Sequence, residues 1–391
     1  MIPYTDFLYF SIALYILALP TFLVGFLKKF SRAWILLATA IMLAVQYVPL
    51  SVSWARGSIQ EIWLVLGFAL TQWVVSIVFL GLRKRVKNQL IFYLTILFGL
   101  LPLLVVKYVP LFDPGFGLGF LGISYVTFRS LDVLISIQDG LIQSLPPHQY
   151  LAFLLFFPTL SSGPVDRWRR FEQDWAHDRT RAEFFQDLDS SVHHIFTGFL
   201  YKFILAVLIK RYWLDPMATG GQFWHIVSYM YAYSLYLFFD FAGYSAFAVG
   251  FSHLMGIYTP ENFDRPFLAR NIRDFWNRWH ISLSWWFRDH VYSRFVFAAT
   301  KGHWFKNRYA ASYIGFFLSM GLMGLWHGTA WYYLLYGLYH GALLVAHDFL
   351  SRWNKQHKLL PTTGLFVELG SIFVTINFVC FGLLLFSGRL A

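Results

Sequence analysis

The sequence predicts an all-α polytopic membrane protein, and three observations carry that expectation. Of 391 residues, 58% are hydrophobic and only 13% are charged, against roughly 25% charged in ordinary soluble domains. Mean hydropathy is +0.53. The apolar residues also gather into runs of the length a bilayer needs, about 20 residues per crossing helix. A soluble core has no room for so much apolar surface, whereas lipid solvates it.

The N-terminal third reads most simply. Phe7 to Phe26, Ala33 to Trp54, Ile62 to Leu82 and Leu90 to Val109 are each long and apolar enough to span. The first has no basic residues before it and is followed by Lys28 and Lys29, so it reads as a retained helix rather than a cleaved signal. Lys28, Lys29 and Arg32 follow the first run, and Arg83, Lys84, Arg85 and Lys87 the third, while the loop after the second holds only Arg56. Positive loops stay in the cytosol, which puts the N-terminus outside, and with it the Asp113-Pro114-Gly115 turn.

The middle of the chain is less regular. Phe116 to Ile137 is apolar but contains Arg129 and Asp132, and Gln149 to Pro164 is short and broken by Gly and Pro. Such backbone at membrane depth must be buried in protein or line a cavity, so a re-entrant or interfacial element is expected there. Arg167 to Ser190 reads as a cytosolic, solvated connector. Phe196 to Tyr212 and Phe223 to Gly256 supply further helices, the second too long for one crossing. Thr259 to Arg294 is too charged to span. Phe275, Trp279, Leu283 and Trp286 recur at helical spacing there, which predicts an amphipathic helix at the membrane interface. Ala310 to Trp326 and Trp331 to Ala346 form a pair around the His327-Gly328-Thr329 turn, and Leu365 to Phe386 closes the chain. The count is about eleven spanning or half-spanning helices in a single domain, 1–391: N-terminal helices 1–110, a core 116–350 and a C-terminal helix 364–391.

Several kinds of chemistry lack their residues. The one cysteine, Cys380, permits no disulfide framework. There is no His-Glu-x-x-His motif, phosphate-binding loop or Gly-x-Ser-x-Gly elbow. Gly117 to Gly122 spells a dinucleotide fingerprint without the βαβ unit that would give it meaning. Asp189, His193 and His194 share a region, but no third metal ligand stands near them and a solvated face explains them. The net charge of +11 is that of positive inner loops; with no basic soluble module, nucleic acid is excluded as a partner, whereas an acidic cytosolic protein is permitted.

What remains are ionisable groups inside apolar segments, which are functional candidates by default. His327 stands in Gly324-Leu325-Trp326-His327-Gly328, where glycines admit a close neighbour. Its imidazole is either a general base or a histidine hydrogen-bonded between helices. His280 is open to the same two readings at the interface. His340 and His347 share one helical face, with His340 read as structural. Asp240 needs a cation, for which Arg129 is one candidate. A transporter would place polar groups at a midplane cavity too, and a scaffold would leave both histidines unexplained.

Phe275-Trp276-Asn277-Arg278-Trp279-His280-Ile281-Ser282, followed by Trp326-His327-Gly328, resembles the membrane-bound O-acyltransferase (MBOAT) family. Met1-Ile2-Pro3-Tyr4, Gly122 to Ser130, Phe157 to Pro164, Phe239 to Ser245 and Pro260 to Phe263 extend the likeness to the branch that carries D-alanine to Gram-positive teichoic acids. The resemblance implies an MBOAT-like ring of helices around a thinned centre, with a funnel from outside, in a bacterial plasma membrane. It implies catalysis by His327 with His280; Trp326, His340, Asp240 and Arg129 are the candidates to line the tunnel. It implies no intrinsically bound cofactor: the donor is a phosphopantetheine thioester brought by an acidic acyl carrier protein, DltC. A DltX peptide and DltD are the implied further partners, and lipoteichoic acid the final acceptor. Arg294, Val296, Phe297, Lys301, Trp304 and Lys306 mix cations with apolar groups, a pattern that suits either docking of that carrier or binding of membrane lipid headgroups.

Overall fold

The structure is a computed structural model that describes residues 7–13, 15, 19–26, 32–47, 59–86, 88–113, 115–359, 361 and 363–391. Met1 to Tyr4, Lys28, Lys29, Arg56, Lys87 and Pro114, on which parts of the sequence reading fall, lie outside the described residues, as does the end of the run Ala33 to Trp54. Among the described residues the elements are helical, with one isolated bridge pairing Phe263 with Trp279. Five helices among the described residues are long and apolar enough to cross a membrane: Glu61–Arg85, Gln89–Leu111, Arg181–Met217, Phe223–Leu254 and Leu365–Phe386. The protein is thus a polytopic, all-α membrane protein. Other segments in the expected count of about eleven are shorter, such as Arg32–Tyr47 and Ile123–Gln138. Two compact units divide the chain, one of Met1–Gly198 with Gly243–Pro260, the other of Phe199–Ala242 with Glu261–Ala391.

In the first unit, the broken element expected after Gln149 is a helix, Pro147–Leu155, followed by a 3-10 turn, Phe157–Thr159. The helix leaves its last carbonyls without intrahelical donors. Arg129, fully buried on Ile123–Gln138, supplies them: its Nη1 donates to Phe153 O (3.0 Å) and Leu154 O (3.2 Å), and its Nη2 to the carbonyl and hydroxyl oxygens of Thr159. One guanidinium thereby pins an irregular turn. The supposed connector from Arg167 to Ser190 is instead helical, with Trp168–Ala176 and then Arg181–Phe199. Asp132 caps the first of these by accepting from the Trp168 backbone N–H (3.0 Å), which is the carboxylate chemistry a helix start favours.

In the second unit, Ala310–His327 and Trp331–His357 form the expected antiparallel pair. Small residues let the two backbones touch: a Cβ on Gly337 would fall 2.2 Å from Met320 O, and one on Gly324 would fall 2.3 Å from Tyr333 O. Where lipid supplies no hydrophobic drive between helices, such close approach is what gives packing energy. Leu365–Phe386 lies against Trp331–His357, with the Tyr339 hydroxyl donating to Phe378 O (3.0 Å).

The predicted single amphipathic helix across Phe275 to Trp286 is two short ones, Ile272–Trp276 and Ile281–Phe287. The break is at His280, which adopts a left-handed conformation with φ of 44°. Asn262 and Phe263 hold that break open. Asn262 O accepts from Ile281 N (3.0 Å), Asn262 Oδ1 accepts from the Ser282 hydroxyl (2.6 Å), and Asp264 N donates to Arg278 O (3.0 Å). Phe275, Trp279, Leu283 and Trp286 are nevertheless all buried, so the apolar pattern was a signal of burial without being one of continuous helix.

Candidate active site

His327 is the last residue of Ala310–His327 and is half-buried. Its imidazole is boxed by aromatic rings. Phe386 meets it edge-on with centroids 4.9 Å apart, Trp326 lies at 4.6 Å, and Tyr336 and Tyr333 at 6.2 and 6.4 Å. Gly328 is required here because a Cβ would come within 2.4 Å of the Tyr333 ring. The glycines around His327 thus serve ring approach and helix contact, which is why they sit at that spacing.

His280 is 4% exposed and packs edge-to-face on Phe241 at 4.7 Å. Its Nε2 is buried without a hydrogen-bond partner. Burial holds the ring well below the usual imidazole pKa of 6.5, and His327 lies near enough to disfavour its protonation further. A neutral imidazole offers one N–H and one lone pair. Its Nε2 is thus not committed to another protein group.

His340 is fully buried, with Trp276 edge-on at 5.2 Å and Tyr336 at 4.7 Å. A Cβ on Gly382 would strike its Nε2 at 2.4 Å. Tyr336 therefore touches both His327 and His340. Asp240 finds its cation in Lys202 rather than in Arg129: Lys202 Nζ lies 2.5 Å from Asp240 Oδ1, and the lysine is 8% exposed. Lys202 stands in a π-helical stretch, Leu200–Leu205, and sequence reading passed over it although it is a cation in the middle of an apolar run. The structure places His327, His280, His340, Trp326 and Asp240 in the second unit, and Arg129 in the first, tied to its turn.

Of the docking candidates, Phe297 and Trp304 are 70% and 58% exposed, and Lys301 and Lys306 are exposed with them. Arg294 is half-buried. Val296 packs toward Gly315, where an added Cβ would lie 3.1 Å from its methyl. Sequence reading also missed a cavity of about 420 Å³ whose lining includes Arg273, Asn277, Arg288, Trp276, Met320 and Met323. Arg273 and Asn277 come from the segment before the break at His280 and Arg288 from the segment after it, while Met320 and Met323 come from Ala310–His327. Trp276 joins it to His340.

The model of the membrane-bound O-acyltransferase family matches residues 66–387. The chain belongs to that family, and it is a membrane-embedded acyltransferase. It is 43% identical to the teichoic acid D-alanyltransferase of Bacillus subtilis (strain 168), over 100% of this chain and 98% of the relative. A protein of the same name from Lacticaseibacillus rhamnosus is 40% identical over 96% of this chain and 95% of its own length. A probable alginate O-acetylase, AlgI, from Pseudomonas aeruginosa is 34% identical over 57% of this chain and 42% of its own.

Proposed function

We propose that the chain is a DltB-type enzyme that moves D-alanine from a phosphopantetheine thioester on the carrier DltC to a hydroxyl outside the membrane, for teichoic acid D-alanylation. The whole chain, 1–391, acts as one acyltransferase domain, with the N-terminus outside. Likeness to teichoic acid D-alanyltransferases along the full chain supports this over O-acetylation, because the alginate O-acetylases match only 57% to 64% of it. The observation that carries the chemistry is the pairing of a half-buried His327 with a buried His280 whose Nε2 has no protein partner.

The acceptor hydroxyl gives its proton to His327 as its oxygen attacks the thioester carbonyl. His280, kept neutral, donates an N–H to the developing oxyanion. The C–O bond forms, the C–S bond breaks, and the proton on His327 passes to the departing thiolate, which leaves as the pantetheine thiol. A thioester is already activated, so the donor needs no further activation here. Arg273 and Arg288 suit the phosphate of the arm, and the apolar part of their cavity suits its chain. Phe297, Trp304, Lys301, Lys306 and Arg294 suit an acidic carrier with an apolar anchor, while Val296 supports their helix. Trp326, His340 and Asp240 line the route, while Arg129 holds its own turn in the first unit. DltX and DltD are the partners expected on the acceptor side, with lipoteichoic acid as the final acceptor.

The test is donor selection. Vesicles containing the purified protein should consume carrier-bound D-alanine, and carrier-bound acetate far more slowly. Equal or faster use of acetate would replace this reading with O-acetylation.

A further inference from the structure

His280 Nε2 has no hydrogen-bond partner, and an imidazole without a bond at that nitrogen takes the orientation its packing gives it. That packing is a chain of edge-to-face rings. Phe241 meets His280 with centroids 4.7 Å apart and planes at 89°. Phe263, from the clamp at Asn262, meets both Phe241 and Trp279 at 5.1 Å, and Phe238 meets Phe263 at 5.6 Å. Such contacts are directional. Phe238 and Phe241 are three residues apart on the helix Phe223–Leu254 and so share one face. The orientation of His280 thus depends on which face that helix turns toward the clamp.

The apolar pattern does little to decide it. Phe238, Phe239, Phe241 and Ala242 put apolar groups around most of the turn, and a helix apolar all round has no hydrophobic preference for its rotation. Asp240 is the exception. At about 3.6 residues per turn, it falls on the side of the helix away from the face shared by Phe238 and Phe241. There Lys202 Nζ meets its Oδ1 at 2.5 Å, with the lysine side chain 8% exposed. Tyr201, the residue before, meets Phe239 edge-on at 5.1 Å. The π-helical stretch that carries Lys202, Leu200–Leu205, is a type of interruption found frequently at functional sites. A buried ion pair adds little net stability, but it can fix a register that apolar contacts leave open. All of these residues lie in the second unit.

We infer that Lys202 and Asp240 are positioning residues for His280. Their ion pair sets the rotation of Phe223–Leu254, and Phe241 carries that setting to the imidazole, holding its N–H toward the developing oxyanion. This rests on the reading of His280 as the oxyanion donor. A side chain at the rim of a helix stands about 5–6 Å from the axis, so a roll of about 10° moves Phe241 by about 1 Å. A displacement of that size at a reacting group costs about 100-fold in rate.

The test is a double-mutant cycle on the full-length protein in vesicles, with D-alanyl carrier thioester as donor and initial transfer rates normalised to folded protein by thermal melting. Lys202→Met with Asp240→Asn removes both charges together and leaves no ammonium stranded. In the His280 enzyme these two changes should lower kcat about tenfold to 100-fold and leave KM for the carrier within about twofold. In a His280→Ala background, already slowed, they should cost less than about twofold, because their effect runs through the missing ring. Phe241→Leu keeps the ion pair, removes the ring that transmits it, and should give the same pattern. Equal losses in both backgrounds would mean a general structural role and would overturn the inference. So would a loss carried by KM, or a folded charge-free variant with wild-type kcat. If His280→Ala alone keeps the wild-type rate, the reading of His280 as oxyanion donor is wrong and the positioning role falls with it.

Discussion

Gly337→Ala adds one methyl group where the helix Trp331–His357 touches Ala310–His327. That methyl would stand 2.2 Å from Met320 O and 3.0 Å from Met320 C. A carbon–oxygen contact settles at about 3.3 Å, so the two backbones must part by about 1 Å. The carbonyl cannot swing aside, because it belongs to the helix ladder. Met320 lies two turns before His327 on the same helix, and the displacement is delivered to the imidazole. Overpacking of this kind costs about 1–3 kcal/mol in stability, which leaves folded protein to assay, whereas a misplacement of about 1 Å at a reacting group costs about 100-fold in rate. Gly321→Ala is the control: on the same helix pair its methyl would meet Leu338 and Leu334 at 3.7 and 3.9 Å, ordinary contact. The assay is the initial rate of D-alanyl transfer from carrier thioester in vesicles, normalised to folded protein by thermal melting. Gly337→Ala should lose about 100-fold, chiefly in kcat, while Gly321→Ala stays within about twofold of wild type. Equal losses in the two variants, or a Gly337→Ala enzyme with more than about half the wild-type rate, would refute the reasoning.

Three further outcomes follow from other parts of the molecule. An unfolded histidine gains a proton near pH 6.5 while buried His280 does not, so the unfolded state binds more protons as pH drops below that value and stability falls with it; His280→Asn should flatten the melting-temperature profile below about pH 6.5, and an unchanged slope would show that His280 titrates normally. Phe297→Asp should weaken carrier binding by about 2 kcal/mol or more, and reversing Lys301 or Lys306 should slow association in a salt-sensitive way; equal affinity and equal salt dependence would leave the Ser293–Lys301 surface to lipid headgroups alone. Asp240→Asn strands the ammonium of Lys202, at 8% exposure beside a carboxylate 38% exposed, and should destabilise by about 1–3 kcal/mol, with Lys202→Met in the same chain recovering most of the loss; a single variant as stable as wild type would show the pair to be dispensable.

Much of the site was legible because its chemistry forces unusual composition. A histidine between glycines at the end of an apolar run marks a close approach of rings and helices, and His327 is where that approach occurs. The motifs at Asn262-Phe263 and at Trp279 to Ser282 looked independent in sequence; the structure shows one clamp, in which Asn262 bonds Ile281 and Ser282 around the left-handed His280. The break itself was illegible, because a residue with positive φ other than glycine leaves no compositional mark, and the apolar spacing ran on through it. Lys202 was overlooked for the opposite reason: a lone cation in an apolar run was treated as part of a span, although such a residue requires a counter-ion, and Asp240 was waiting for one.

The measurement that bears most directly on the central claim is D-alanyl transfer in vesicles from purified carrier thioester, comparing wild type with His327→Ala. If His327 takes the acceptor's proton, the variant should fold and bind carrier normally yet lose about 10²–10⁴-fold in transfer. A folded His327→Ala protein that keeps more than about half the wild-type rate would contradict the account.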